Sequence, residues 1–174
     1  LQVLIINFSF FLIEIIVGFI ANSMGLVADS LDMLADAIVY GMSFLVVGKT
    51  LFYKKRVAKL SGYFQLTLAL LGFIEVIRRY FLIDEIPDYQ LMIIISALAL
   101  IANAISLYIL QRSRSSEVHM KASMIFTSND IIVNAGVIVA AIFVLAFSSP
   151  LPDLIIGVII FTLVLRGALR ILKL

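Results

Sequence analysis

The sequence predicts an all-α, polytopic membrane protein built as a bundle of six transmembrane helices. Three observations carry that prediction. The 174 residues are 63% hydrophobic with a mean hydropathy of +1.18, more apolar surface than a water-soluble core of this size can hide. Apolar runs of roughly 20 residues, long enough to cross ~30 Å of hydrocarbon, recur six times. Between them stand only short connectors, without a linker or a soluble domain.

Taken in order, the first run covers residues 3–20 and ends at the turn sequence ANSMG. The second covers 24–47. A basic loop, residues 54–59, leads into the third at 60–77, which stops before the IPD sequence around Pro87. The fourth covers 91–110. The fifth, 121–147, is ended by SSPLPD, where Pro150 and Pro152 cannot continue a helix. The sixth covers 154–172. Small residues such as Gly18, Gly25 and Gly136 suit close helix crossings.

Lysine and arginine orient the bundle. Lys49, Lys54, Lys55, Arg56 and Lys59 lie between the second and third runs, Arg112, Arg114 and Lys121 between the fourth and fifth, and Arg166, Arg170 and Lys173 near the end. On the other side only Arg78 and Arg79 are basic, and Asp84, Glu85 and Asp88 offset them. The positive-inside bias predicts both termini in the cytoplasm, in a multi-pass protein of the plasma (inner) membrane. With no cysteine there is no disulfide framework, and a net charge of +2 gives no reason to expect nucleic acid.

The stretch ADSLDMLADA is the anomaly. Asp29, Asp32 and Asp36 fall within eight positions of the second run, on a helical arc of about 60° and over roughly 10 Å of axis. Each unpaired charge at a helix centre costs about 2.5–3.5 kcal/mol by insertion scales. Such a face persists only where it lines water, meets a cation or is partly protonated. The fifth run offers a facing surface, SMIFTSNDIIVNAGVIVA, in which Asp130 and Asn134 are one turn apart with Ser123 and Thr127 near the same stripe. Carboxylate and amide oxygens facing three carboxylates make a cage suited to hard or borderline divalent cations.

These residues resemble the cation diffusion facilitators. GLVADSLDMLADA in the second run, SND…N…GVIVAA in the fifth, Asn103 in the fourth and FIEVIRRYF closing the third carry the resemblance, which spans nearly the whole chain. It implies a six-helix metal/proton antiporter with cytoplasmic termini and a metal site of two residues spaced DxxxD or HxxxD on helix two, with HxxxD on helix five. Asp32 and Asp36 match the first pair and Asp130 the last aspartate, while Phe126 occupies the histidine position. Because the two helices run antiparallel, Asp32 level with Asp130 places Asp29 level with Asn134. The expected metal ligands are therefore Asp29, Asp32, Asp130 and Asn134, with Asp36 as an inner ligand or proton carrier. Many relatives add a cytosolic domain after helix six; the sequence stops at Leu174, so residues 1–174 are expected to be the transmembrane domain alone, and a homodimer would form through membrane helices.

The remaining polar residues have plainer readings. Glu75 sits at salt-bridge spacing from Arg78 and Arg79. Glu14 is a lone carboxylate in the first run, a structural residue or a member of a proton path. His119, the one histidine, reads as a solvated loop residue. Nothing resembles a nucleophile–base pair or a nucleotide-binding loop, so no enzyme and no resident cofactor are expected. The expected function is export of a divalent metal cation (zinc, manganese, cobalt or similar) in exchange for protons, with lipid, metal ion and protons as the partners. The alternative is a membrane metal sensor or assembly subunit that keeps the fold without transporting.

Overall fold

The computed structural model describes the backbone of residues 2–45, 50–82, 85–112 and 118–173, and the side chains of these except at 39–40, 42–45, 51, 54, 110 and 118–126. Six helices follow in order: α1 (Gln2–Ile20), α2 (Met24–Leu45), α3 (Leu51–Leu82), α4 (Tyr89–Arg112), α5 (Val118–Phe147) and α6 (Leu151–Leu172). The fold is all-α, as expected. Among the described residues, five of the helices are long and apolar enough to cross a membrane. The exception is α2, at 22 residues as long as α6. Every 18-residue window of α2 contains Asp29, Asp32 and Asp36, so its composition departs from a lipid-spanning helix while its length does not.

The element boundaries differ most at α3. It begins at Leu51, so the basic positions 54–59, expected as a loop, form its first turns. Lysine and arginine are good helix formers, and hydropathy marks only the part of a helix that lipid covers. His119 likewise belongs to the first turn of α5 rather than to a loop. Lys49, Asp84 and Arg114 lie outside the described residues.

Helix α2 sits centrally, packed against α1, α3, α5 and α6, while α4 pairs with α5 and α3 with α6. Large apolar side chains such as Phe19, Ile20, Leu60, Ile74 and Ile132 point outward, as lipid contact requires. The packed interior combines Met24, Leu26 and Ala28 of α2 with Ala69, Val137, Ile160 and Phe161. At Gly72 an added Cβ would lie 2.2 Å from the ring of Phe161, so only glycine lets α3 approach α6 this closely.

The turn between α1 and α2 is tied down by polar bonds. Ser23 caps α2: its Oγ accepts from the Leu26 N–H at 3.1 Å, and its own N–H donates to the Gly18 carbonyl at 2.9 Å. The next two amides are satisfied from another helix. Asp153, in the first turn of α6, accepts from Met24 N–H at 2.6 Å, Gly25 N–H at 2.9 Å and Ser23 Oγ–H at 2.6 Å. All four amides that a helix start leaves open are thus paired. Close by, Arg79 donates to the carbonyl and side-chain oxygens of Asn22, and the Asp88 N–H donates to the Ala21 carbonyl at 2.9 Å. These bonds gather the α1–α2, α3–α4 and α5–α6 connections at one end of the bundle, here called the turn end. Glu75 pairs with Arg78 at 2.7 Å and Arg79 at 2.9 Å, as its spacing predicts.

Candidate metal centre

The polar faces of α2 and α5 meet inside the bundle. Asp29, Asp36, Asp130 and Asn134 are buried, each no more than 7% exposed, and Asp32 is half-buried. Asn134 Nδ2 donates to Asp29 Oδ2 in a short hydrogen bond. That bond sets Asp29 level with Asn134, the register expected for two antiparallel helices with matched polar faces. The two residues are 105 positions apart in the chain, so the contact is a product of the fold rather than of local geometry.

Asn103 of α4 extends the arrangement. Its Nδ2 donates to Asn134 Oδ1 at 3.2 Å. Asn134 therefore passes a fixed orientation from α4 to the Asp29 carboxylate. An amide oxygen has two lone pairs, so Asn134 Oδ1 keeps one beyond its bond to Asn103. The bonded oxygen of Asp29 is Oδ2; its Oδ1 is buried and unpartnered, as are one oxygen of Asp36, one of Asp130 and the hydroxyl of Thr127. On the α3 side, Gln65 Nε2 donates to the Ala35 carbonyl at 3.3 Å, one residue from Asp36.

The carboxylates feel one another. Asp130 interacts electrostatically with Asp36, Asp32 and Asp29, so all four expected carboxylates share one electrostatic neighbourhood. They do not converge on a single point: among the described residues no three carboxylate, imidazole or thiolate groups are close enough to hold one metal ion. Phe126 belongs to α5, but its side chain, like those of Ser123 and His119, lies outside the described residues. A small pocket lined by Asn22, Arg79, Glu85, Pro150 and Asp153 lies at the turn end, away from these carboxylates.

A model of the cation efflux transmembrane domain matches residues 1–51 and 53–173. The chain belongs to the cation efflux family. Comparison with curated proteins gives no match. Membership makes this cation efflux domain a member of a family of metal-cation transporters, not of enzymes, and an integral membrane protein, in agreement with its apolar helices.

Two residues of the domain's interior stand closer to the site than their sequence positions indicate. Asn103, in sequence only one of the residues that carry the resemblance, holds Asn134. Glu14 of α1 is fully buried with both oxygens unpartnered, and it interacts with Asp29 and Asp130. A usable signal existed: Asn7, Glu14 and Gly18 fall on one helical arc of about 40°, and they are the residues that α1 buries.

Proposed function

We propose that the protein exports a divalent metal cation in exchange for protons, through six membrane-crossing helices whose termini lie in the cytoplasm. The observation that carries the reading is the buried oxygen cluster of α2 and α5, joined by the Asn134–Asp29 bond. Its donors are carboxylate and amide oxygens, which suit manganese and similar cations and also bind zinc or cobalt. At 22 residues α2 measures about 33 Å, enough to span ~30 Å of hydrocarbon. Its packing against four other helices buries Asp29 and Asp36 and half-buries Asp32.

In this reading the cation enters from the end opposite the turn end and displaces protons from Asp32, Asp36 and Asp130. Side-chain rotation draws Asp29, Asp32, Asp130 and Asn134 onto it, because a cation screens the repulsion that spreads like charges apart. Asp36, nearer the cytoplasmic end of α2, is an inner ligand or proton carrier. Exit follows when the helices rock to open the turn end. The homodimer uses the apolar outer surfaces of these helices, in the plasma (inner) membrane.

Metal-stimulated proton flux in proteoliposomes, across zinc, manganese, cobalt, iron and cadmium, tests this directly. The native protein should couple metal and proton movement, and Asp32→Ala and Asp130→Ala should each abolish it while remaining folded and inserted. Near-normal flux in either variant refutes the site. Metal binding without flux identifies a sensor or assembly subunit instead, and uncoupled conduction a passive channel.

A further inference from the structure

Helix α1 is built inside out. Its 19 residues include seven large apolar side chains counted as exposed, from Ile5 to Ile20, yet the residues it buries are Asn7, Glu14 and Gly18. A helix that needs only to pack would turn apolar or small residues inward throughout. Here the inward face carries a carboxylate with no exposed surface and no hydrogen-bond partner on either oxygen. A buried carboxylate left alone is costly, and one is kept where it pairs or binds a cation. No ion pair reaches it: among the described residues the ion pairs are those of Glu75 with Arg78 and Arg79.

The position of Glu14 along the bundle follows from Gly18. A Cβ there would touch Val27 at 3.0 Å and Leu26 at 3.2 Å, which sets the register of the antiparallel α1–α2 pair. One turn further from the turn end, Glu14 lies level with Ser30 and Leu31, between Asp29 and Asp32. Its electrostatic neighbours are Asp29 on α2 and Asp130 on α5, and as these groups stand apart among the described residues, side-chain rotation would draw them onto a cation.

We propose that Glu14 is a direct ligand of the transported divalent cation, supplied by α1 to the cluster of Asp29, Asp32 and Asp130. The inference rests on the proposed transport site and deepens it. On the α2–α5 face, oxygens of Asp29, Asp36 and Asp130 are buried without a partner. Glu14 supplies an oxygen from a third helix at the level of the outer aspartates. The resulting set is entirely oxygen and drawn from α1, α2 and α5, a composition that suits a hard cation taking up to six oxygens better than a four-coordinate zinc.

The test is Mn2+ binding to the purified full chain in lipid nanodiscs at fixed pH, by calorimetry, with metal-free thermal melting recorded alongside. Glu14→Gln should weaken Mn2+ binding at least tenfold while leaving metal-free melting equal or higher, because a neutral amide is easier to bury than an unpaired carboxylate. Glu14→Asp, which keeps the charge on a shorter stem, should fall between the two. Asp130→Asn separates the two readings. If Asp130→Asn loses binding and Glu14→Gln keeps native affinity, the Glu14 assignment alone is overturned. If Asp130→Asn keeps native affinity, the central site is overturned and Glu14 with it. A Glu14→Gln protein that melts earlier without metal and loses binding in parallel marks a structural residue and overturns the proposal. So does one that binds Mn2+ normally but loses only the pH dependence of flux, which marks a proton carrier.

Discussion

Replacing Asp153 by alanine removes the acceptor that closes the start of α2 from the neighbouring helix. Three donors lose their partner: Ser23 Oγ–H, Met24 N–H and Gly25 N–H. The serine hydroxyl can rotate to another acceptor. The two amides are held by the helix, and they lie where Met24 is fully buried. A hydrogen bond to a charged group contributes about 1.5–3 kcal/mol, and a buried donor left unpaired forfeits its solvation as well. Two such losses give an expected destabilisation of about 3–5 kcal/mol, allowing for partial relaxation. Asp153→Asn keeps one acceptor oxygen and turns an N–H toward the other donor, so about half of that loss is expected. Ser23→Ala removes the cap to Leu26 and should cost about 1 kcal/mol. Equilibrium unfolding in mixed micelles, followed by circular dichroism, gives the three values on one scale. The order Asp153→Ala, then Asp153→Asn, then Ser23→Ala is the prediction. An Asp153→Ala protein within about 0.5 kcal/mol of the native one would show that α2 is not fastened through this carboxylate.

The remaining predictions concern packing, selectivity and topology. Gly72→Ala forces the Phe161 ring aside and should destabilise by about 1–3 kcal/mol, whereas Gly167→Ala, with open space around it, should be neutral or stabilising by up to ~1 kcal/mol; the same unfolding assay compares them, and equal effects would refute the close α3–α6 approach. Phe126→His should shift preference from manganese toward zinc, since it restores a nitrogen ligand one turn from Asp130; competition binding reads the shift, and a native protein that already selects zinc strongly, unchanged by the substitution, counts against the oxygen-rich site. Single cysteines near Lys55 and near Ser149 should label from opposite sides of the membrane, and labelling of both from the same side would refute the six-span topology.

How far the sequence reached can be judged helix by helix. All six helices were legible because hydrophobic burial in lipid demands long apolar runs, and turn residues separate them. The start of α3 was not, because a basic turn continuing a helix into water has no apolar signature. The Asp29–Asn134 pairing was legible because two antiparallel helices with matching polar faces have one natural register, and the bond between them supports it. Asp153 was overlooked for a different reason: two of its three partners are backbone amides 128 and 129 residues away, and backbone donors leave no trace in residue identity. Glu14 was seen, but a single carboxylate in an apolar run does not reveal which way it faces. Reading Asn7, Glu14 and Gly18 together as one stripe would have turned it inward.

The long reach of α2's polar contacts also bears on how the chain is made. Its three aspartates would cost about 7.5–10.5 kcal/mol if the helix met lipid alone, at about 2.5–3.5 kcal/mol each. The residue that answers Asp29 is 105 positions further on, and the carboxylate that fastens the start of α2 is 128 to 130 positions from its partners. At synthesis rates of about 5–20 residues per second, the interval before Asn134 emerges is about 5–20 s. Of the four helices that pack against α2, α1 comes before it in the chain and α3 is the next to follow. Glu14 and Asn7 on the buried face of α1 are then the nearest polar company for the aspartates, and the bond from Ser23 to the Gly18 carbonyl holds the two helices as a hairpin. An apolar α1 face would leave α2 with no polar neighbour in the bilayer until Gln65 of α3 arrived. The same polar stripe that adjoins the carboxylate cluster in the finished bundle thus gives the nascent hairpin a way to wait.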